Sequence, residues 1–146
     1  MSLTGIFEKQ IDSKGRVSIP KRMRERLGEG SEAIVTVLKI DSCLQIYPAD
    51  EWDELVRHME RLSPFDERTR SLHRFWGMST EEMKIDTEGR VSLSRDAKRY
   101  AGIESDVMIV GAINRIEIWS RDRWQSVLEK APKLEDMANS LSPKSE

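Results

Sequence analysis

A chain of 146 residues that is 38% apolar, 34% charged and formally −2 in net charge fits one compact domain or two very small ones. No apolar run approaches the roughly 20 residues of a membrane span, residues 1–5 lack the basic and apolar regions of a secretory leader, and the single Cys43 excludes an intrachain disulfide. The expectation is a protein of the reducing cytoplasm. The net charge also conceals a block: residues 9–26 hold seven basic side chains against two acidic ones, a surplus of five on an otherwise acidic chain. Such a block reads either as a localised footprint for a polyanion or as a solvated helix face with ordinary lysines and arginines.

In chain order, residues 5–11 alternate enough to predict a strand, with Ile6, Phe7 and Ile11 apolar against Glu8 and Lys9. Residues 12–15 predict a turn: an Asp at its first position bonds backbone amides ahead of it, and a Gly at its fourth tolerates positive φ. Residues 16–19 return as the second strand of a hairpin, with Val17 and Ile19 on one face and Arg16 and Ser18 on the other. Pro20 suits the first turn of a helix. That helix continues over 21–27, with Met23 and Leu27 on its apolar side and Arg22 and Arg26 opposite, and stops at Gly28. Residues 32–40 are rich in β-formers and turn at Asp41-Ser42 into a strand over 44–47. Pro48 opens a helix whose Trp52, Leu55, Val56 and Met59 recur at i, i+3, i+4, i+7. Ser63-Pro64 has the form of an N-cap and first residue for a linker helix including 70–75, stopped near Gly77.

From Ser79 the pattern begins again. Asp12, Gly15, Arg16, Val17 and Ser18 recur as Asp86, Gly89, Arg90, Val91 and Ser92, 74 positions later. Leu44-Gln45-Ile46-Tyr47 is answered by Ile116-Glu117-Ile118-Trp119, and Trp52 by Trp124, at an offset of 72. Ser94 replaces Pro20 and predicts an N-cap for a helix over 95–101 that ends at Gly102. A hairpin over 107–119 turns at Asn114-Arg115; Ser120 caps the Trp124 helix, and Pro132 ends it. The polar tail from Lys133 is expected to fray. The organisation is therefore a first repeat at 3–61, a helical connector at 62–77, a second repeat at 78–131 and a tail at 132–146. Modules this small bury too little surface to stand alone, so the two copies are expected to share one core.

Two readings of Asp-x-x-x-Arg follow from its chemistry. In one, the Asp holds the turn amides and the Arg makes an exposed ion pair with it. In the other, the Asp also orients the guanidinium fork outward, toward phosphates or a guanine edge. Other constellations are weak. His58 and His73 are isolated, one Cys makes no zinc pattern, and no phosphate loop or nucleophile motif occurs. The expectation is no catalytic residue, no metal and no cofactor. Trp52, Trp76, Trp119 and Trp124 suit core packing better than base stacking.

The duplicated Asp-x-x-Gly-Arg turn, the Pro20 and basic helix behind its first copy, Ala101-Gly102-Ile103 and Asn114-Arg115-Ile116-Glu117-Ile118-Trp119 together resemble the MraZ family of bacterial transcriptional regulators over residues 3–130. Ser94, where the family usually has Pro, and Glu88, where a polar or basic residue is more usual, are departures. The resemblance implies an α+β, β-rich swapped-hairpin barrel of the type shared with AbrB, MazE and SpoVT proteins, completed here by two tandem repeats in one chain. It also implies a ring-shaped homo-oligomer on double-stranded DNA, binding tandem promoter repeats of the division and cell-wall gene cluster, usually as a repressor. The expected contacts are Arg16, oriented by Asp12 and Gly15, with Lys14, Lys21, Arg22 and Arg26 beside it. Arg90, held by Asp86 and Gly89, is the second copy's equivalent, at DNA or at a subunit interface. No membrane and no small-molecule substrate are expected. An antitoxin-like protein-interaction module and an enzyme using the turns as an anion site are the rival readings.

Overall fold

In the computed structural model, which describes residues 2–28, 33–141 and 143, the two sequence repeats become two matching series of elements. The first is β1 (Ile6–Gln10), β2 (Arg16–Ser18), α1 (Lys21–Leu27), β3 (Ala33–Ile40), β4 (Cys43–Tyr47) and α2 (Ala49–Glu60). After α3 (Glu67–Met78) the second is β5 (Thr80–Ile85), β6 (Arg90–Ser92), α4 (Arg95–Ala101), β7 (Asp106–Gly111), β8 (Ile116–Ser120) and α5 (Arg121–Lys130), followed by α6 (Leu134–Ser140).

The strands form one antiparallel sheet in the order β1-β7-β8-β4-β3-β5-β6-β2. Its end strands, β1 and β2, are joined by the residue 12–15 turn, so the sheet curls into a nearly closed barrel. Strand exchange explains the order. β1 pairs with β7 of the other repeat, and β5 pairs with β3 in the equivalent register. The local expectation of a hairpin over 5–19 is therefore corrected. The turn forms, with the Asp12 N–H donating to the Arg16 carbonyl at 2.9 Å, but each strand finds its ladder in the opposite repeat.

A pseudo-two-fold axis crosses the barrel at two places. At one, β2 and β6 pair as Arg16↔Ser92, Val17↔Val91 and Ser18↔Arg90, centred on two fully buried valines. At the other, β4 and β8 pair about Gln45↔Glu117. Between them Leu44, Ile46, Ile109, Ile116 and Ile118 fill one core with Val17, Val91, Met23 and Ala97, so both repeats share it as expected. Around Gln45 and Glu117 a buried polar network forms: the Gln45 amide donates to Glu117 at 3.1 Å, Tyr47 Oη donates to Gln45 at 2.8 Å, and Trp119 Nε1 and Arg115 Nε donate to Glu117 at 2.9 and 3.0 Å. Partners at every step are what make such burial tolerable.

Several boundaries differ from expectation. Ser63-Pro64 lies in a turn, with Ser63 Oγ accepting from the Phe65 amide, and the connector helix starts later, capped by Asp66. That helix also runs past Gly77 to Met78. Pro20 sits at the N-cap of α1, just outside the helix. The strand predicted to Ile113 ends at Gly111, because Ile113 at φ 73 leaves the ladder and bridges to Leu3. The tail expected to fray carries α6, started by Lys133 and with Glu135 and Asp136 in its first turn, where carboxylates suit the helix dipole. Glu32, the expected start of β3, lies outside the described residues. No helix among the described residues is long and apolar enough to cross a membrane.

Candidate nucleic-acid interface

Each Asp-x-x-Gly-Arg turn is a closed hydrogen-bond unit. Asp12 Oδ1 accepts from the backbone amides of Lys14 and Arg16, both at 2.9 Å, and Oδ2 accepts from Arg16 Nε at 2.7 Å. Asp86 repeats this with the amides of Glu88 and Arg90 at 2.9 Å and Arg90 Nε at 2.8 Å. Gly15 and Gly89 close the turns at φ +77 and +80, donating to the Asp12 and Asp86 carbonyls at 3.0 Å. The Arg16 backbone amide, with help from its guanidinium and the Lys14 amide, holds the Asp12 carboxyl below the ordinary aspartate range. The Arg90 amide and guanidinium and the Glu88 amide do the same for Asp86. A carboxylate that accepts several N–H groups stays ionised.

Because Arg16, Ser18, Arg90 and Ser92 alternate with the buried Val17 and Val91 in a two-stranded register, all four point outward on one face. The two arginines stand diagonally across the axis. Asp12 is close enough to help Asp86 and Glu88 raise the Arg90 pKa. Each arginine uses Nε for its aspartate. The terminal nitrogens of Arg16 have no hydrogen-bond partner among the described residues, whereas Arg90 Nη2 is paired with Glu88 at 2.7 Å. With Nε tied, the fork of Arg16 is held in one orientation, which lowers the entropy lost when it engages a planar or tetrahedral anion.

The remaining expected residues divide. Lys14 is exposed on the first turn, and Lys21 is exposed at the start of α1. Arg22 donates to Thr4 Oγ1 at 2.6 Å. Arg26 is engaged elsewhere, in a bidentate pair with Asp50 at 2.9 and 3.0 Å and a longer one with Glu51 at 3.5 Å. The structure thus gathers Lys14, Arg16 and Arg90 with both aspartates and glycines, and ties Arg26 to α2.

Two further cations reach the turns from the opposite repeat: Arg24, a member of the basic block at 9–26, and Lys98, which lies outside it. The Arg24 side chain lies over Gly89, where an added Cβ would run into Arg24 Cδ, and Arg24 Nη1 donates to the Glu88 carbonyl at 3.3 Å. Lys98 reaches the first turn, its Nζ 3.1 Å from where a Cβ on Gly15 would be. The backbone sets this up, since the Leu93 N–H donates to the Gly15 carbonyl and the Ile19 N–H to the Gly89 carbonyl, placing the helix after each short strand beside the other repeat's turn. The only sequence signal was that Lys98 is Arg24 displaced by the motif's own offset of 74.

Comparison with known proteins places the chain in a family. A family profile described as "MraZ protein, putative antitoxin-like" matches residues 3–75 and 78–141. The chain is 38% identical over 138 residues to a transcriptional regulator MraZ of Heliobacterium modesticaldum, covering 94% of each protein. It is 35% identical over 122 residues to that of Lachnoclostridium phytofermentans, covering 84% of each, and 33% identical over 138 residues to that of Clostridium tetani, covering 94% of this chain and 95% of the relative. Matched by the family profile over most of its length and by relatives at 33–38% identity, the chain belongs to the MraZ family.

Proposed function

We propose that this protein is a transcriptional regulator that binds double-stranded DNA through its Asp-x-x-Gly-Arg face and has no enzymatic role. The observation that carries the reading is Arg16. Its Nε is locked to Asp12 at 2.7 Å while its terminal nitrogens have no hydrogen-bond partner among the described residues, beside exposed Lys14. A guanidinium held this way suits bidentate contact with a phosphate or with guanine in the major groove. The names of the relatives, transcriptional regulators MraZ, support the same reading.

The fuller reading is a repressor of a division and cell-wall gene cluster that sits on tandem promoter repeats as a ring. One small basic face gives modest affinity, so several subunits engaging successive repeats would supply the avidity. Repeats about 10 bp apart would offer the same groove to each subunit. The test is a gel shift on the DNA upstream of the protein's own gene with Arg16→Ala, which should remove the shifted species with only a small drop in melting temperature, the loss of one exposed ion pair. Unchanged affinity refutes the reading. Light scattering reporting the monomer mass of 16.9 kDa at working concentration would remove the ring.

A second reading, an antitoxin-like interaction module, draws on the family description and on the exposed apolar residues Phe65 and Met78, at 93% and 75% exposure. Co-purification of a small partner protein, with no DNA shift, would favour it.

A further inference from the structure

The basic residues of the first turn do not all come from the first repeat. We propose that Lys98, carried on α4 of the second repeat, is a phosphate-binding residue of the first turn, so that the DNA face at Gly15 is a composite of both halves. The inference rests on the reading of this face as a DNA interface.

Three observations carry it. The ammonium of Lys98 lies over Gly15, 3.1 Å from the Cβ position, and the bare, buried glycine makes room for it. Lys98 has no ion pair or hydrogen bond through Nζ among the described residues, although it sits on a chain with 26 acidic side chains. Its pseudo-two-fold mate differs: Arg24 also crosses to the other repeat's turn, but it donates to the Glu88 carbonyl. A Lys near a helix C-terminus ordinarily serves the helix dipole. Here Nζ reaches away from α4 to the opposite turn, and Gly102 in the left-handed conformation already closes α4, its N–H and that of Ile103 satisfying the last carbonyls.

With Lys98 included, the first turn carries Asp12, Lys14, Arg16 and Lys98, a surplus of two positive charges. The second turn carries Asp86, Glu88, Arg90 and Arg24 and is neutral. An extended anionic backbone crossing the axis would therefore meet its strongest attraction at the first turn, and part of that attraction comes from the second repeat.

The test is the salt dependence of binding, measured with the full chain on two duplexes: the sequence upstream of its own gene and a scrambled duplex of equal composition. Lys98→Gln removes the charge and leaves a shorter, neutral polar side chain. It should lower the slope of log K against log salt by about 0.9 per engaged subunit and weaken both duplexes alike, as loss of a phosphate contact does. Lys98→Arg should restore the slope, and Arg24→Gln should change it less than Lys98→Gln does. Unchanged affinity and slope for Lys98→Gln, with Arg16→Ala still abolishing specific binding, overturns the inference and leaves the DNA reading standing. A weaker Lys98→Gln with an unaltered slope, or one whose melting temperature falls in step with affinity, also overturns it, because the role would then be structural. If Arg16→Ala binds normally while Lys98→Gln loses slope, the Arg16 reading fails and the Lys98 contact survives.

Discussion

The turn at Asp12 and the turn at Asp86 share their backbone conformation and their aspartate-to-arginine bonds to within 0.1 Å, yet they present different chemistry. In the first, Lys14 is exposed and Arg16 keeps its terminal nitrogens unpartnered among the described residues. In the second, Glu88 takes Arg90 Nη2 at 2.7 Å, and Arg24 is drawn onto the Glu88 carbonyl. The backbone of a motif can thus be duplicated faithfully while one side chain, Lys14 against Glu88, decides whether its arginine is available. Motif geometry sets where a guanidinium points; the neighbouring charge sets what it can hold.

The two turns should differ most at their arginines. Arg16→Ala is expected to lose specific DNA binding, by about tenfold or more for each engaged subunit, whereas Arg90→Ala should retain a clear shift; equal losses in a gel shift would make the two arginines equivalent. Next come the glycines. Gly15→Ala and Gly89→Ala each place a side chain at positive φ, which costs about 1–2 kcal/mol. Gly89→Ala should be the worse of the two in a denaturant melt because it must also expel Arg24, and Arg24→Ala should recover part of that excess. Glu88→Lys alters the second turn instead. It frees Arg90 and gives the second turn the charge pattern of the first, so the salt slope should steepen by about 0.9 for each added phosphate contact.

The smallest effect is acid sensitivity, which should be common to both turns. Asp12 and Asp86 have carboxyls depressed by backbone and guanidinium donors. Their contribution to stability is complete above the ordinary aspartate value and fades as pH falls through the lower value of the folded turn. Asp12→Asn and Asp86→Asn should each flatten the acid limb of an unfolding titration by a similar amount. A wild-type limb unaffected by either variant would show that the carboxylates are not held this way.

Much of this was legible in the chain itself. The i, i+3, i+4, i+7 stripe at Trp52 and the Asp-x-x-Gly spacing give α2 and both turns, because helix periodicity and turn chemistry are local. The helices at 21–27 and 95–101 match α1 and α4 for the same reason, with Gly28 and Gly102 beyond their ends. What local rules could not supply was strand partnership. Val17 and Ile19 look the same whether they pair with β1 or across the barrel with β6, so the hairpin inferred from the turn was misassigned. The resemblance supplied the swap. Arg26 shows a related limit: its helical phase marks a surface position, but nothing nearby in sequence announces Asp50 as its partner. Lys98 meets Gly15 only through the fold, and a contact between positions so far apart has no periodic trace.

The far end of the axis has its own lesson. Two identical chains would set any residue on their rotation axis against its own copy. Here Gln45 meets Glu117, an amide donor against an anion, with Tyr47 and Trp119 completing opposite sides. Joining the halves covalently releases that position from self-complementarity. A carboxylate can be seated there without confronting another carboxylate, and each half becomes a poor match for a second copy of itself.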